Sequence, residues 1–396
     1  MGNSSRCSAY LIALLAAGHF FSDFYVTFLP GLLPVVMERL GLSLTLSGLL
    51  VMVYSFASNI IQPVVGYFID KSGLSWLILV TIPVSALFIC LSPIAGNVAI
   101  LFLFFALSGL AAAVFHPLAS ALLAKAAMGE NRGLAMSFFI GGGNVGVAAA
   151  PLAVILFLTR YPAEQLVWLA VPGILLTVGC YFAGVHRIQL VSSGKKKSIP
   201  AGGIPWYRSV NLLKLNVVMG LRSWPQNAVP NFLAVWLIQQ GQSTALAGIM
   251  LTVFFFGGAV GSVFGGYLGD KVGRKNCIIG SLAVCIPALY FFLISKDASI
   301  FTWAALFLSG ASLQSTLPSS IVWAQNMLPS NAAMASGMML GLSYGLGGVG
   351  AAITGAAADV IGLETALLWS IVPLVVAIGI AAAIPEKKCL PAETSL

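Results

Sequence analysis

Charged side chains are scarce in this chain: Asp, Glu, Lys and Arg make up 8% of its 396 residues, whereas 59% are hydrophobic. Soluble domains carry about 25% charged residues, so the composition excludes a soluble protein. A cleavable signal pattern is also missing, because only Arg6 stands ahead of the first apolar run and no small-residue cleavage site precedes it. We therefore predict a polytopic membrane protein whose first helix stays in place as a signal anchor.

Paired cysteines and enzyme motifs are missing as well. The six cysteines show no paired spacing and no Cys-x-x-Cys, which favours free thiols over a disulfide framework or a metal site. The sequence has no nucleophile elbow, no metal-ligand spacing and no pair of acids at membrane depth. We therefore predict that the protein is not an enzyme and has no cofactor.

Long apolar runs dominate what is present, and twelve of them are long enough to cross a membrane. By span length they cover about 9–37, 45–68, 74–94, 97–124, 133–158, 165–186, 210–238, 245–268, 276–295, 299–327, 332–357 and 364–384. A polar linker with three consecutive lysines, between Arg187 and Arg208, divides them six and six. We predict an all-α fold of two six-helix bundles, residues 1–187 and 209–396, joined by a linker at 188–208.

The basic residues define a topology. With the amino end inside, 15 of the 19 Lys and Arg fall in inside segments and three in outside segments, and Arg222 lies within predicted span 7. Both termini are thus expected to be cytoplasmic. The net charge of +8 then reflects topology, and the lysine-rich linker is expected to face anionic lipid and not nucleic acid.

An internal repeat relates the two halves. The stretch Gly66–Gly73 matches Gly266–Gly273 at an offset of 200, with five of eight positions identical, and Pro30 matches Pro230 at the same offset. Two parallel six-helix halves with a basic linker are a known transporter layout, which predicts two pseudo-symmetric bundles working as a monomer on a small-molecule substrate.

Asp23 is the only acid at membrane depth, near the middle of an apolar run from about Tyr10 to Met37. His19 precedes it by four residues and therefore shares its helical face. Ionisable residues inside a membrane are functional-site hypotheses by default, so we predict that Asp23 carries a proton. The alternative is a structural acid that hydrogen-bonds to a neighbouring helix. His19 and His116 are predicted to assist as a proton relay, or else to be hydrogen-bonded interior histidines.

Arg222 is the natural partner of Asp23, because the repeat aligns Arg222 with Ser22. Three interpretations remain open. The guanidinium can bind an anionic phosphonate or carboxylate, act as a counter-ion for which substrate and Asp23 compete, or form a permanent structural ion pair with Asp23.

The chain resembles the major facilitator superfamily over nearly its whole length. The duplicated Gly-x-x-x-Asp-Lys-x-Gly carries the resemblance, and its second copy continues into Arg274-Lys275, the full form of that family's loop signature. Gly146-x-x-x-Ala150-Pro151 is similar to the family's antiporter signature, with Ala in place of its second glycine. The resemblance implies rocking of the two halves about a mid-membrane site.

A closer resemblance is to the fosmidomycin-resistance branch of that family. The similar stretches, besides the His19…Asp23 spacing, are Gln62–Tyr67, Val114–Pro117, Gly142–Asn144 and Gly265–Lys275. One departure is Leu118, which follows the His-Pro pair where the branch carries an acid. The resemblance implies an inner-membrane, proton-coupled antiporter that confers antibiotic resistance by efflux, with fosmidomycin as one substrate.

Two further sets of side chains complete the predicted machinery. Polar residues within the spans are expected to line the substrate cavity, or else to bond between helices: Asn59, Gln62, Asn144, Gln226, Asn227 and Gln314. Charged residues at the cytoplasmic span ends are expected to pair across the halves as a gate, or else to be solvated turns: Asp70, Lys71, Arg132, Asp270, Lys271, Arg274 and Lys275.

These patterns together predict a proton-coupled transporter that exports a small anionic compound by alternating access. Uptake of a small organic anion, by proton symport or facilitated diffusion, is the alternative within the same fold. The predicted partners are the substrate, protons and membrane lipid.

Overall fold

A computed structural model describes residues 2–72, 74–126, 132–190, 208–295, 297–328 and 332–385. Within these residues the chain is helical, without a strand. The side chains of Asp70, Lys71 and Arg132 lie outside what the structure describes, as do residues 191–207 of the predicted linker.

The first half consists of six spans, several of them broken by short irregular turns. Their helical bounds are Gly2–Val26 with Leu29–Leu40 (span 1), Leu44–Ser55 with a π-helical turn Phe56–Ile60 and Gln62–Ser72 (span 2), Ile78–Leu91 (span 3), Val98–Ala126 (span 4), Arg132–Arg160 (span 5), and Ala163–Ala170 with Val171–Phe182 (span 6).

The second half repeats this arrangement. Its helical bounds are Val210–Gln239 (span 7), Thr244–Val272 (span 8), Arg274–Ile294 (span 9), Ile300–Met327 (span 10), Ala332–Gly337 with a π-helical turn Met338–Leu342 and Ser343–Ile361 (span 11), and Leu363–Trp369 with Val372–Ala382 (span 12). The predicted all-α, multi-span fold class is therefore confirmed.

Eleven of these spans are long and apolar enough to cross a membrane. Span 7 is the exception, although it is a continuous helix of 30 residues. It is less apolar because it carries Lys214, Arg222 and several amide side chains, and most of its side chains are buried against other helices. A span enclosed by protein has less need of an apolar surface than a span in contact with lipid.

The sequence repeat appears as matched local structure. Ser43 caps span 2 by accepting from the Leu46 backbone N–H, and Ser243 caps span 8 by accepting from the Leu246 N–H. Each pair of residues is offset by 200. The same capping bond at the same position therefore starts the second helix of both halves.

Close packing at glycine repeats in the same way. A Cβ at Gly109 would lie 3.2 Å from the Tyr54 ring, and one at Gly310 would meet the backbone of Phe254, the repeat partner of Tyr54. Spans 2 and 4, like spans 8 and 10, thus approach so closely that only glycine fits at the crossing.

Candidate functional site

A cavity of about 690 Å³ lies between the two halves and is lined by spans 1, 2, 4, 5, 7, 8, 10 and 11. Small-molecule sites commonly enclose about 300–1,000 Å³, so the cavity has room for a compound of that size. Nine predicted site residues line it: His19, Asp23, Asn59, Gln62, His116, Asn144, Gln226, Asn227 and Gln314. Arg222 is not among the lining residues.

Span 1 breaks just beyond Asp23, which lines the cavity. The first helix ends at Val26, and Pro30 lacks the N–H that would bond to the Val26 carbonyl. The Thr27 hydroxyl donates to the Asp23 carbonyl at 2.8 Å, which holds the chain at the break. The Asp23 side chain keeps 18% of its surface exposed, on the cavity wall.

Two histidines flank the Asp23 carboxylate. Nε2 of His19 lies 3.2 Å from Oδ2, and Nε2 of His116, on span 4, lies 3.4 Å from Oδ1. The two imidazoles meet edge to face with 5.3 Å between ring centres. Spans 1 and 4 thus form one His–Asp–His cluster, although His116 and Asp23 are far apart in sequence.

The tautomer of His19 follows from its other nitrogen. Nδ1 lies 2.7 Å from the backbone carbonyl of Phe139, which can only accept a hydrogen bond, so Nδ1 carries the proton. In the neutral imidazole Nε2 then presents a lone pair to a carboxylate, which also presents only lone pairs. That 3.2 Å contact is favourable only if a proton, or another cation, lies between the two groups.

Gly143 on span 5 provides the space for this cluster. A Cβ at Gly143 would lie 2.5 Å from Oδ2 of Asp23 and 2.8 Å from Nε2 of His19. The Phe139 ring, one turn earlier on span 5, stacks on His19 with 4.1 Å between ring centres. Gly143 of span 5 therefore packs directly against the ionisable groups.

Arg222 is fully buried and turns toward span 10, where its Nε donates to the carbonyl of Leu313 at 2.7 Å. Nη2 donates to the same carbonyl and, at 2.8 Å, to Oε1 of Gln314. The guanidinium also lies 5.9 Å from the centre of the Tyr344 ring. Among the described residues no acid pairs with Arg222, so Asp23 and Arg222 do not form an ion pair with each other in this conformation.

Gln314 connects this buried cation to the cavity. Arg222 can only donate, and Tyr344 donates its hydroxyl to the same Oε1 at 3.2 Å. The amide oxygen of Gln314 therefore faces the cation, and its NH₂ is the end left for the cavity that this side chain lines. The sequence does not indicate a role for Tyr344, because an isolated tyrosine in an apolar span matches no functional pattern.

Other cavity amides point the opposite way. The NH₂ groups of Asn59, Gln62 and Asn227 donate to backbone carbonyls of their own helices at 2.7–3.0 Å. Oε1 of Gln226 is buried and has no partner among the described residues. Asn59 and Gln62 therefore keep acceptor oxygens for the cavity, in contrast to the donor that Gln314 presents, whereas Oδ1 of Asn227 also accepts from the Ser55 hydroxyl at 3.4 Å.

The described gate residues make contacts inside the second half. Arg274, the first residue of span 9, pairs with Asp270 near the end of span 8. Lys275 donates to the carbonyls of Ala382 and Ile384 at the end of span 12. Lys271 lies over the Tyr267 ring, 4.6 Å from its centre. None of these four makes a described pair across the halves in this conformation, so their gating role stays a prediction.

On the predicted outer side the halves are joined by Asp359. Its carboxylate, at the end of span 11, accepts from the backbone N–H groups of Leu44 at 3.0 Å and Thr45 at 2.8 Å, and from the Thr45 hydroxyl at 2.6 Å. Just below, a Cβ at Gly48 would lie 2.9 Å from the Ala352 backbone. This outer contact therefore caps span 2 of one half with an acid from the other.

Comparisons with known proteins agree with this architecture. A sequence model of the Major Facilitator Superfamily matches residues 15–241 and 220–388. The Fosmidomycin resistance protein of Escherichia coli (strain K12) is 29% identical over 91% of this chain and 89% of its own length. An uncharacterised MFS-type transporter of Bacillus subtilis (strain 168), YfnC, is 28% identical over 90% of this chain and 88% of its own.

Solved structures share the fold. The crystal structure of a bacterial homologue of the human lysosomal transporter Spinster, in an inward-facing and occupied conformation, superposes with a TM-score of 0.80. It covers 95% of this chain and 96% of its own at 15% sequence identity. At that identity the match supports the arrangement of spans and carries no information on substrate.

Proposed function

The chain belongs to the major facilitator superfamily of membrane transporters, and from this premise we propose that it exports a small anionic compound in exchange for protons. The relative named for fosmidomycin resistance supports efflux as the direction. The proposed setting is the bacterial inner membrane, with both termini cytoplasmic and the monomer as the working unit.

The observation that carries the proposal is the His19–Asp23–His116 cluster on the cavity wall. Nε2 of His19 faces Oδ2 at 3.2 Å, a contact that is favourable when the two groups share a proton and unfavourable when that proton is lost. Nε2 of His116, 3.4 Å from Oδ1, can donate to the carboxylate as a neutral or a protonated imidazole. All three side chains are part of the cavity lining, so water and substrate can reach them. Proton loading and release at this cluster would be the coupling step.

The opposite wall supports an anionic substrate. Arg222 is a buried cation held by neutral acceptors, and an uncompensated charge in a low-dielectric interior favours an anion nearby. Because Arg222 does not line the cavity, Gln314 would make the direct contact through its NH₂ group. The acceptor oxygens of Asn59, Gln62 and Asn227 would bind hydroxyl or N–H groups, which favours a small acid that also carries such donors.

The transport cycle would use the contacts that join the halves. In this conformation Asp359, Leu44 and Thr45 close the predicted outer side. Rocking of one half against the other would break that contact and, by symmetry of the fold, bring the Asp-Lys loops of Asp270 and its repeat together on the other side.

Flux into proteoliposomes at two imposed pH gradients tests the proposal, with radiolabelled fosmidomycin as the probe. Exchange for protons predicts accumulation when the lumen is acidic, because outward proton flow drives the compound inward. Accumulation with an alkaline lumen would instead establish symport, the alternative that fits an uptake system. Flux of the same size under both pH gradients would contradict proton coupling.

A further inference from the structure

The His19–Asp23–His116 cluster also has the composition and spacing of a transition-metal site. One ligand atom from each residue can be chosen so that all three lie within 4.8 Å of one another. Two imidazoles and one carboxylate are a common set for Zn²⁺ and for Fe, Co or Ni ions, whereas Ca²⁺ and Mg²⁺ prefer oxygen ligands alone. From this geometry we propose that a divalent ion of the zinc type binds here and blocks the transporter.

The distances fit such an ion. Bonds of about 2.0–2.1 Å from a tetrahedral zinc place neighbouring ligand atoms ~3.3 Å apart. The observed separations are 3.2 Å between His19 Nε2 and Asp23 Oδ2, and 3.4 Å between His116 Nε2 and Asp23 Oδ1. These two separations run to different oxygens of the Asp23 carboxylate, and one ligand atom from each residue lies within 4.8 Å of the other two. An ion would therefore be held after a rotation of the carboxylate or of one imidazole that shortens the longest of the three separations.

The surroundings of the cluster satisfy two further requirements. His19 donates Nδ1–H to the Phe139 carbonyl, the kind of outer contact that orients metal-binding histidines and leaves Nε2 free as the ligand. The missing Cβ of Gly143 leaves space beside Oδ2 and Nε2, and the cavity supplies an entry path and water for the remaining coordination position.

The ion would act as a blocker and not as a resident cofactor. It would occupy the lone pairs of Asp23, His19 and His116 and would tie span 1 to span 4 beside the substrate cavity. Binding of the ion does not depend on the direction of transport or on the substrate. The block, in contrast, rests on the proposed function: spans 1 and 4 belong to the same half, so the ion would stop transport by displacing protons from the cluster and not by locking the two halves together.

Titration of purified protein with Co²⁺, read by its visible d–d absorption, tests the site. The protein would be purified through a tag without histidine and stripped with a chelator. We expect one tetrahedral Co²⁺ per chain, displaced by Zn²⁺, with affinity falling at least about 100-fold in His116→Ala, because even outer-shell changes cost 10–100-fold. A thiolate charge-transfer band would place the ion on cysteine and would overturn the proposal.

The third histidine provides the matched control. His186 stacks on Tyr181, with 5.0 Å between ring centres, and lies outside the cavity lining. His186→Ala should bind Co²⁺ as the unmodified protein does, and equal loss in both variants would count against the site. His116→Asn, which keeps a polar side chain, replaces the alanine variant if that variant does not fold.

Transport measurements complete the test and separate this inference from the proposed function. Zn²⁺ should stop proteoliposome flux, and a chelator should restore it. Flux that continues at saturating Co²⁺ or Zn²⁺ would overturn the block. Proton coupling is measured with chelator present throughout, so either result leaves that measurement intact.

Discussion

Oδ2 of Asp23 and Nε2 of His19 lie 3.2 Å apart on one face of span 1, and each presents a lone pair when the imidazole is neutral. A proton shared between the two groups makes that contact favourable. When residue 23 carries no charge, the contact no longer requires a proton. We expect Asp23→Asn to abolish pH-driven flux, because the amide cannot take up a proton at any accessible pH. Equilibrium binding of fosmidomycin, measured by thermal shift, should persist, since Asp23 is not the proposed anion ligand. Unchanged pH-driven flux in this variant would remove Asp23 from the coupling mechanism.

Gly143 provides a second test of the same cluster. In Gly143→Ala the new methyl group would lie 2.5 Å from Oδ2 of Asp23, so the cluster must separate or span 5 must shift. Overpacking of this kind costs about 1–3 kcal/mol, which corresponds to a roughly five- to hundredfold loss of flux if the cluster drives transport.

Gly141→Ala is the control for that change, because a Cβ at Gly141 would have no neighbour within 4 Å. It is the same substitution on the same helix, two residues away, and its flux should match the unmodified protein. Equal flux in both variants would show that the spacing of Asp23 and His19 is not important for transport.

The sequence predicts the helical spans well, because hydropathy is a property of local segments. It also places Asp23 and Arg222 near each other through the repeat, but a repeat aligns backbones and not side-chain directions. The Arg222 side chain turns toward Leu313 on span 10, where a carbonyl and an amide satisfy its donors. No pattern in the sequence indicates that rotamer.

Contacts between segments that are distant in the chain could not be predicted from the sequence either. The sequence suggests His116 as a relay residue, but its 3.4 Å approach to Asp23 depends on which face of span 4 meets span 1. Nδ1 of His19 donates to the backbone carbonyl of Phe139. Every residue has such a carbonyl, so the sequence does not indicate which one His19 contacts. From the sequence alone, Asp359 is one of several charges in outer loops. Its contact with span 2 depends on how span 11 packs against that span.

Gln314→Glu tests how the anion is recognised. The carboxylate would neutralise Arg222 and would remove the NH₂ group that Gln314 presents to the cavity. Hydrogen bonds to charged groups contribute about 1.5–3 kcal/mol, so we expect a roughly 10- to 100-fold loss of affinity for an anionic ligand in thermal-shift titrations.

Gln325→Glu is the matched control on span 10, because Gln325 donates to Ser336 and does not line the cavity. The affinity of the Gln325→Glu variant for the anionic ligand should equal that of the unmodified protein. If both variants bind the anion as tightly as the unmodified protein, the Arg222–Gln314 pair is structural and the anion binds elsewhere.

Asp359→Ala tests the outer contact between the halves. The substitution removes three acceptor contacts to Leu44 and Thr45 but leaves the rest of the interface in place. Exposed hydrogen bonds of this kind stabilise the closed conformation by about 1 kcal/mol in total. Their loss should therefore raise the fraction of molecules that are open on the outer side about fivefold. Spin labels on Glu38→Cys and Val360→Cys, both exposed on that side, should report it as a longer distance by electron paramagnetic resonance. Asp297→Ala is the control, since among the described residues Asp297 accepts from Ser299 and Thr302, both beside it in the same half. A distance distribution that shifts equally in both variants would show that the cross-half cap of span 2 does not hold the outer side closed.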